Sequence, residues 1–290
     1  MTKESVSVII PAYRSAGTIR RALESVARQS RLPDEVVVVD DGSDDGTLEA
    51  TEACRALLKN IDLTVIQQKN GGAGAARNRA IAESRGSVLA FLDADDEWLP
   101  TKLERSLDHM AAGGYVLVAH NGWIVDGESR DLNDCAARFN EPRDPYRTLY
   151  RKGYIDTCTV VATRDAVLAV GGFDESLPNA QDFDLWLNML KDPKARFLVF
   201  DEPLSLYYIT PNSIMSNTER RLSCTLRVAY RYREAVRKRS GPIPSDLWYR
   251  IIAIHLETIL VYRSRGAMVP LMRTLLRLPW RLITSLFAPA

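Results

Sequence analysis

Asp93-Ala94-Asp95 sets two carboxylates one residue apart, where the apolar run from Ser87 to Leu92 ends. Hard divalent cations such as Mn2+ or Mg2+ take carboxylate oxygens, and a diphosphate takes such a cation between itself and the protein. Two aspartates at the mouth of a strand can therefore serve one metal and a neighbouring ribose together. The same spacing also suits a strand-to-helix connection with Asp as the helix N-cap. A second carboxylate stands in Gln181-Asp182-Phe183-Asp184-Leu185-Trp186-Leu187. Helical spacing over Gln181 to Leu190 sends the aromatic inward and leaves Asp182, in the first turn, facing a cleft. A carboxylate beside an apolar wall has a raised pKa and can act as a general base. The other reading is an N-terminal helix acid favoured by the macrodipole.

Two further runs can meet a ligand. In Asp40-Asp41-Gly42-Ser43, a carboxylate at a strand end can accept from a nucleobase edge or a ribose hydroxyl. A turn leading into a helix capped by Asp44 and Thr47 is equally consistent. Asn70-Gly71-Gly72-Ala73-Gly74-Ala75-Ala76-Arg77-Asn78 lets a helix N-terminus lie close to something, and Arg77 can face an anion. Tight helix packing explains the small residues as well. The run lacks the third glycine of a dinucleotide fingerprint and follows the third strand rather than the first. That disfavours a nicotinamide-dependent oxidoreductase.

These residues need a scaffold that brings them to one rim. Val6 to Ile10, Glu35 to Val39, Leu63 to Ile66 and Ser87 to Leu92 read as buried strands. Helical stretches over Gly17 to Gln29, Thr47 to about Lys59 and Ala73 to Ser84 alternate with them. The pattern predicts an α/β fold with a mostly parallel central sheet and helices on both faces. Ligands of such sheets bind beyond the carboxyl ends of the strands. Pro11-Ala12-Tyr13, Asp40 to Ser43, Asn70 to Gly72 and Asp93 to Asp96 follow four consecutive strand ends. Farther on, Tyr115 to Ala119, Thr159 to Ala162, Arg196 to Phe200 and Leu204 to Ile209 read as strands. Arg164 to Val170 reads as a short helix, and Asp126 to Pro145 as a polar loop.

The 290 residues suit one large domain, or one with an appendage. A net charge of +1 implies no polyanionic partner, and no nucleic-acid partner is expected. The average hides an asymmetry. From Ser216 onward there are 14 Lys/Arg and 4 Asp/Glu, against 24 and 33 before it. Four widely spaced cysteines form no CxxC pair and read as reduced, idle thiols. No secretory h-region and no window of ~18 uncharged apolar residues is found, so a cytoplasmic location is expected. Between Ala267 and Phe287, Arg273, Arg277 and Arg281 recur every fourth residue among leucines, with Pro270 and Pro279 as interruptions. Such a helix can lie in a membrane interface at the inner face of the cell membrane, or pack on the catalytic domain or on another subunit of a homo-oligomer.

Five motifs in this order resemble the family 2 glycosyltransferases, which have the GT-A fold. They are Val8 to Tyr13, Val38 to Ser43, Gly74 to Asn78, Phe91 to Asp96, and Gly171-Gly172-Phe173-Asp174-Glu175 through Asp182 to Trp186. The resemblance covers about residues 5 to 210. It implies an inverting, metal-dependent transferase that moves a sugar from a nucleoside-diphosphate donor, UDP favoured, to an acceptor hydroxyl on a glycan or glycolipid. Pro11, Ala12, Tyr13 and Asp41 would line the base pocket, and Arg77 would lie near base or phosphate. Asp93 would meet the ribose or the metal, Asp95 the metal, and Asp182 would be the catalytic base. It divides the chain into a catalytic domain, 1–215, and a basic helical extension, 216–290. The catalytic domain has a nucleotide-binding half, about 1–112, and an acceptor-side half, 113–215. Two positions depart from the pattern. Thr210 stands where many relatives carry a metal-binding histidine, and Gln181 replaces an acidic neighbour of the base. A sugar-nucleotide-binding protein without turnover is the competing reading.

Overall fold

The computed structural model describes residues 4–140, 144–153, 155–210, 217–240 and 245–285. In chain order the first elements are β1 Val6–Ala12, α1 Ile19–Ala27, β2 Glu35–Asp40, α2 Thr47–Glu52, β3 Asp62–Gln67, α3 Ala73–Glu83 and β4 Val88–Phe91. Next come β5 Glu97–Trp98, α4 Lys102–Gly113, β6 Leu117–Asp126, β7 Ser129–Asn133, α5 Pro145–Lys152, β8 Val161–Thr163, α6 Arg164–Ala169, α7 Gln181–Met189 and β9 Phe197–Tyr208. Three helices follow: α8 Thr218–Ser240, α9 Ser245–Ser264 and α10 Met268–Ser285.

The strands form one sheet in the order β3-β2-β1-β4-β8-β6-β9-β5, with β7 beside β6. β3, β2, β1 and β4 are mutually parallel, and β6 is parallel to β9. β8 runs against both β4 and β6, and β5 and β7 are antiparallel to their neighbours. Side chains alternate between faces. Ile9, Val37 and Val39 enter the core shared with α3, α7 and α8, whereas Val8, Ile10, Val36 and Val38 enter the core shared with α1 and α4. Both faces of the central strands are therefore dry, as the apolar runs required.

Several expectations are corrected. The Asp126–Pro145 segment is not all loop: Ser129–Asn133 pairs with β6 as a hairpin, and α5 begins at Pro145 with Asp144 capping Tyr146 and Arg147. Charged, exposed residues hid the hairpin, because β7 needs only backbone pairing at an edge. The two strands expected over 196–209 are one strand, β9, whose register against β6 shifts near Pro203, a residue that cannot donate to a ladder. α2 stops at Glu52, and a 3-10 turn at Arg55–Leu57 replaces the expected continuation to Lys59. Neither Asp44 nor Thr47 caps α2. Asp45 accepts from the Thr47 amide at 3.1 Å, and Asp44 instead pairs with Arg14. α10 runs through both prolines. Pro270 falls in the first turn, where its missing N–H has no intrahelical partner to lose, and Pro279 frees only the carbonyl of exposed Leu275. Leu286 and Phe287, part of the expected tail helix, lie outside the described residues.

α4 brings a lysine into the core. Lys102 is fully buried, its ammonium 4.0 Å from the Trp98 ring centroid. Burial pulls its pKa down to about 7. The unfolded chain holds that proton up to ~10.4, so stability rises with pH between the folded and unfolded values. Lys102→Met is expected to be more stable at pH 7 and to lose this slope between pH 7 and 9.5. Denaturant midpoints for the two chains across that range check it; parallel curves would contradict the burial argument.

Candidate active site

The loops after β1 and β2 are stitched together. The Asp41 amide donates to the Ala12 carbonyl at 2.8 Å, and the Arg14 amide to Ser43 Oγ at 2.9 Å. Gly42 has φ +75°, and a Cβ there would stand 2.9 Å from the Asn70 nitrogen, so only glycine passes. Pro11 is half-buried and Ala12 buried, while Tyr13 is 48% exposed, with the Arg14 guanidinium 5.5 Å from its ring centroid. Asp41 is buried, and its carboxylate already has work. One oxygen accepts from Gln68 Nε2 at 2.8 Å and the Gly71 amide at 2.9 Å, the other from the Gly72 amide at 2.8 Å. It clamps the glycine loop that starts α3.

α3 carries the residue that ties the site together. Arg77 is buried, and its Nη2 donates to Asp93 Oδ1 at 2.6 Å. Burial works against the guanidinium charge, but Asp93, with Asp182 behind it, outweighs burial and raises its pKa. Arg77 was expected near base or phosphate; the structure pairs it with the first aspartate of the acidic run. Two other contacts fix α3 on the far half of the molecule. Asn78 brackets Phe173, accepting from its amide at 2.8 Å and donating to its carbonyl at 2.9 Å. A Cβ on Gly74 would come within 2.9 Å of Gln181 Nε2, so the small residue lets α3 meet the start of α7.

After β4, Asp95 Oδ2 accepts from Thr210 Oγ1 at 3.0 Å, and its carbonyl accepts from Arg21. Thr210, at the position expected for histidine, thus touches the expected metal carboxylate with a hydroxyl. Burial raises the Asp95 pKa, and Asp93 adds to it. Asp96 is fully buried, with one oxygen accepting from the Tyr208 amide at 3.1 Å and the other without a partner among the described residues. Burial pushes it well above the usual carboxylate range and lifts Asp156 to about 6.

Asp182 opens α7 as expected, with Trp186 fully buried behind it. Its Oδ2 accepts from Thr157 Oγ1 at 3.1 Å and its Oδ1 from the Phe183 amide at 2.8 Å. Burial raises its pKa, while the Phe183 amide and Arg77 pull the other way. Ala180, just before the helix, has φ +59°, a left-handed conformation a non-glycine residue rarely holds. Thr157 and Asp156 were not singled out in the sequence. They sit about 25 residues before Asp182 and join it only through the fold.

No three carboxylate, imidazole or thiolate groups converge to hold a cation among the described residues. Asp93 and Asp95 each spend one oxygen on a protein partner, which leaves each a second one. That donor set fits a cation that completes its shell with diphosphate and water. The four cysteines are free and buried. Among the described residues no helix is long and apolar enough to cross a membrane.

A mixed sheet, parallel over β3, β2, β1 and β4, with helices on both faces and acidic residues gathered at one rim defines an α/β protein. The family model "Glycosyl transferase family 2" matches residues 7–168. The chain is 30% identical over 217 residues to the UDP-Glc:alpha-D-GlcNAc-diphosphoundecaprenol beta-1,3-glucosyltransferase WfgD of Escherichia coli, covering 73% of this chain and 80% of that one. It is also 30% identical over 213 residues to the amylovoran biosynthesis glycosyltransferase AmsB of Erwinia amylovora, covering 71% and 70%. A solved structure of the mannosyltransferase PcManGT from Pyrobaculum calidifontis, in complex with GDP-Man and Mn2+, superposes with a TM-score of 0.64 at 20% identity, over 98% of this chain and 84% of that one. The chain belongs to glycosyl transferase family 2 and has the GT-A fold. It is a glycosyltransferase.

Arg77→Met leaves the Asp93 carboxylate without its cation. The expected loss is about 1.5–3 kcal/mol of folding stability, read from denaturant midpoints; an unchanged midpoint would mean the pair is not formed.

Proposed function

We propose that this glycosyltransferase inverts the anomeric carbon of a nucleoside-diphosphate sugar, UDP favoured, and acts in the synthesis of a surface polysaccharide or glycolipid. The observation that supports the reading is the placement of Arg77, bonded to Asp93 and acting on Asp182 through space. One guanidinium bonds the aspartate on the donor side and stabilises the charge of the aspartate on the acceptor side. Pro11, Ala12, Tyr13 and Asp41 form the base-binding end. Tyr13 supplies the exposed ring, and Asp41 also shapes the loop around it.

The acceptor hydroxyl oxygen attacks the anomeric carbon as the bond to the diphosphate oxygen breaks. The hydroxyl proton passes to the Asp182 carboxylate, and the nucleoside diphosphate leaves. Thr157 and the Phe183 amide orient that carboxylate, and burial makes it a better base than an exposed aspartate. Asp93 and Asp95 would hold a Mn2+ or Mg2+ ion, which neutralises charge on the departing diphosphate when bound. Relatives named for a UDP-glucose donor and for amylovoran biosynthesis support the donor class and the polymer setting.

The division into 1–215 and 216–290 is retained as a functional one, with about 1–112 serving the nucleotide and 113–215 the acceptor. The seam is α8, since Val228, Ala229, Tyr232 and Val236 enter the main core. The donor is met on the cytoplasmic side, at the inner face of the membrane where an acceptor is lipid-linked.

Asp182→Asn is expected to lower kcat about 10²–10⁴-fold while UDP still raises the melting temperature. Because burial raises the Asp182 pKa above 3.8, activity is lost as pH falls through that raised value, and the acid limb of kcat/KM lies above 3.8. Full turnover by Asp182→Asn would remove the base assignment. UDP stabilisation equal with and without Mn2+ would remove the metal assignment.

A further inference from the structure

Among the described residues the helical extension exposes apolar side chains on both α9 and α10, and those on α10 form the longer stripe. The inner sides of α8, α9 and α10 meet in a small core of Leu222, Leu226, Ile251 and Ile254, against which Leu278 and Leu282 pack. The outer side of α10 carries Met268, Met272, Leu276 and Trp280, each 49–74% exposed and four residues apart. That stripe is about 18 Å long at the α-helical rise, and Val269, Arg273 and Arg277 lie beside it on the same open surface. Isolated exposed apolar residues are ordinary on a soluble protein; a continuous stripe marks an interaction site.

Charge selects the partner. Arg273 and Arg277 flank the stripe. Arg277 shares Glu219 at 3.1 Å, and Arg273 has no acidic partner among the described residues. Glu257, the other exposed acid of this region, pairs with Arg221. The sequence after Ser216 has a balance of +10. A second copy related by two-fold symmetry would set arginine against arginine with no free carboxylate to separate them. Arg281, expected beside the other two, instead turns inward to His255 at 3.2 Å, so the outer face keeps two cations rather than three.

We propose that the outward face of α10 lies in the headgroup region of an anionic lipid bilayer, parallel to its surface. Met272 and Leu276 enter the acyl boundary, Trp280 sits at the interface, and Arg273 and Arg277 meet lipid phosphates. The helix is not a spanning one, since its outer face carries those cations and its inner face belongs to the protein. This goes beyond the reaction assignment and stands whether or not the acceptor is lipid-linked.

The full chain is sedimented with vesicles of phosphatidylcholine alone and with 30% phosphatidylglycerol added. It is expected to pellet with the anionic vesicles and to be released by salt. The double substitution Met272→Glu, Leu276→Glu should weaken binding at least about tenfold, and Arg273→Gln about fivefold, on anionic vesicles only. Both variants should keep the circular dichroism spectrum and the UDP thermal shift of the parent, which separates lost docking from lost fold. Trp280→Phe should abolish the blue shift in tryptophan emission on vesicle addition. No binding to anionic vesicles, or binding untouched by the double substitution, overturns the proposal. A concentration-dependent dimer that the double substitution dissolves, with no vesicle binding, assigns the face to a second copy and overturns it equally.

Discussion

Like charges crowded into a partly dry cleft repel, and this rim gathers Asp93, Asp95, Asp96, Asp156 and Asp182. Arg77 is the buried cation set among them. It bonds Asp93 directly and, through space, opposes the upward push of burial on Asp182. Asp96 and Asp156, deeper in, have no such partner, and burial raises both. The rim therefore sets five carboxyl groups around Arg77, which bonds one of them directly. A divalent cation arriving with a diphosphate would add positive charge, and the oxygens that Asp93 and Asp95 leave unpaired are the natural place for it.

The scaffold follows from that need. Parallel strands end together on one rim, and alternation of side chains lets each strand bury both faces while its terminal loop stays polar. Glycines act where backbones cross: Gly42 against Asn70, and Gly74 against Gln181. Asn78 then locks α3 to the Phe173 loop, which leads through the strained Ala180 into α7 and Asp182. Strain immediately before a candidate base is consistent with a side chain held in place rather than free to turn.

Much of this was legible in the sequence, because it depends on local pattern. The four rim strands, α3, and Asp182 with Trp186 behind it all come from periodicity and turn residues. What was missed depends on distance. Thr157 orients Asp182 from a 3-10 turn with no periodic signature. Arg77 could be read as facing an anion, but not as choosing Asp93. Asp41 could be read as an acceptor, but not as already holding two glycine amides. β7 is an exposed edge strand, and β9 reads as two strands because Pro203 interrupts its pattern. Lys102 gives no local sign of full burial, since nothing near it in sequence reveals the space beneath Trp98.

Thr210 stands where the family resemblance implies a histidine. Its hydroxyl donates to Asp95 and can orient that carboxylate, but binds a cation less well than an imidazole, so a metal held here would rest more on the aspartates and the diphosphate. The proposed reaction requires Asp95 and Asp182 to flank one space large enough for a sugar. A crystal structure of the protein with UDP and Mn2+ tests it most directly. The diphosphate and the ion are expected on Asp93 and Asp95, with the Asp182 carboxylate across the space the sugar would fill. Nucleotide bound away from this rim, or Asp95 and Asp182 opening onto separate surfaces, would contradict it.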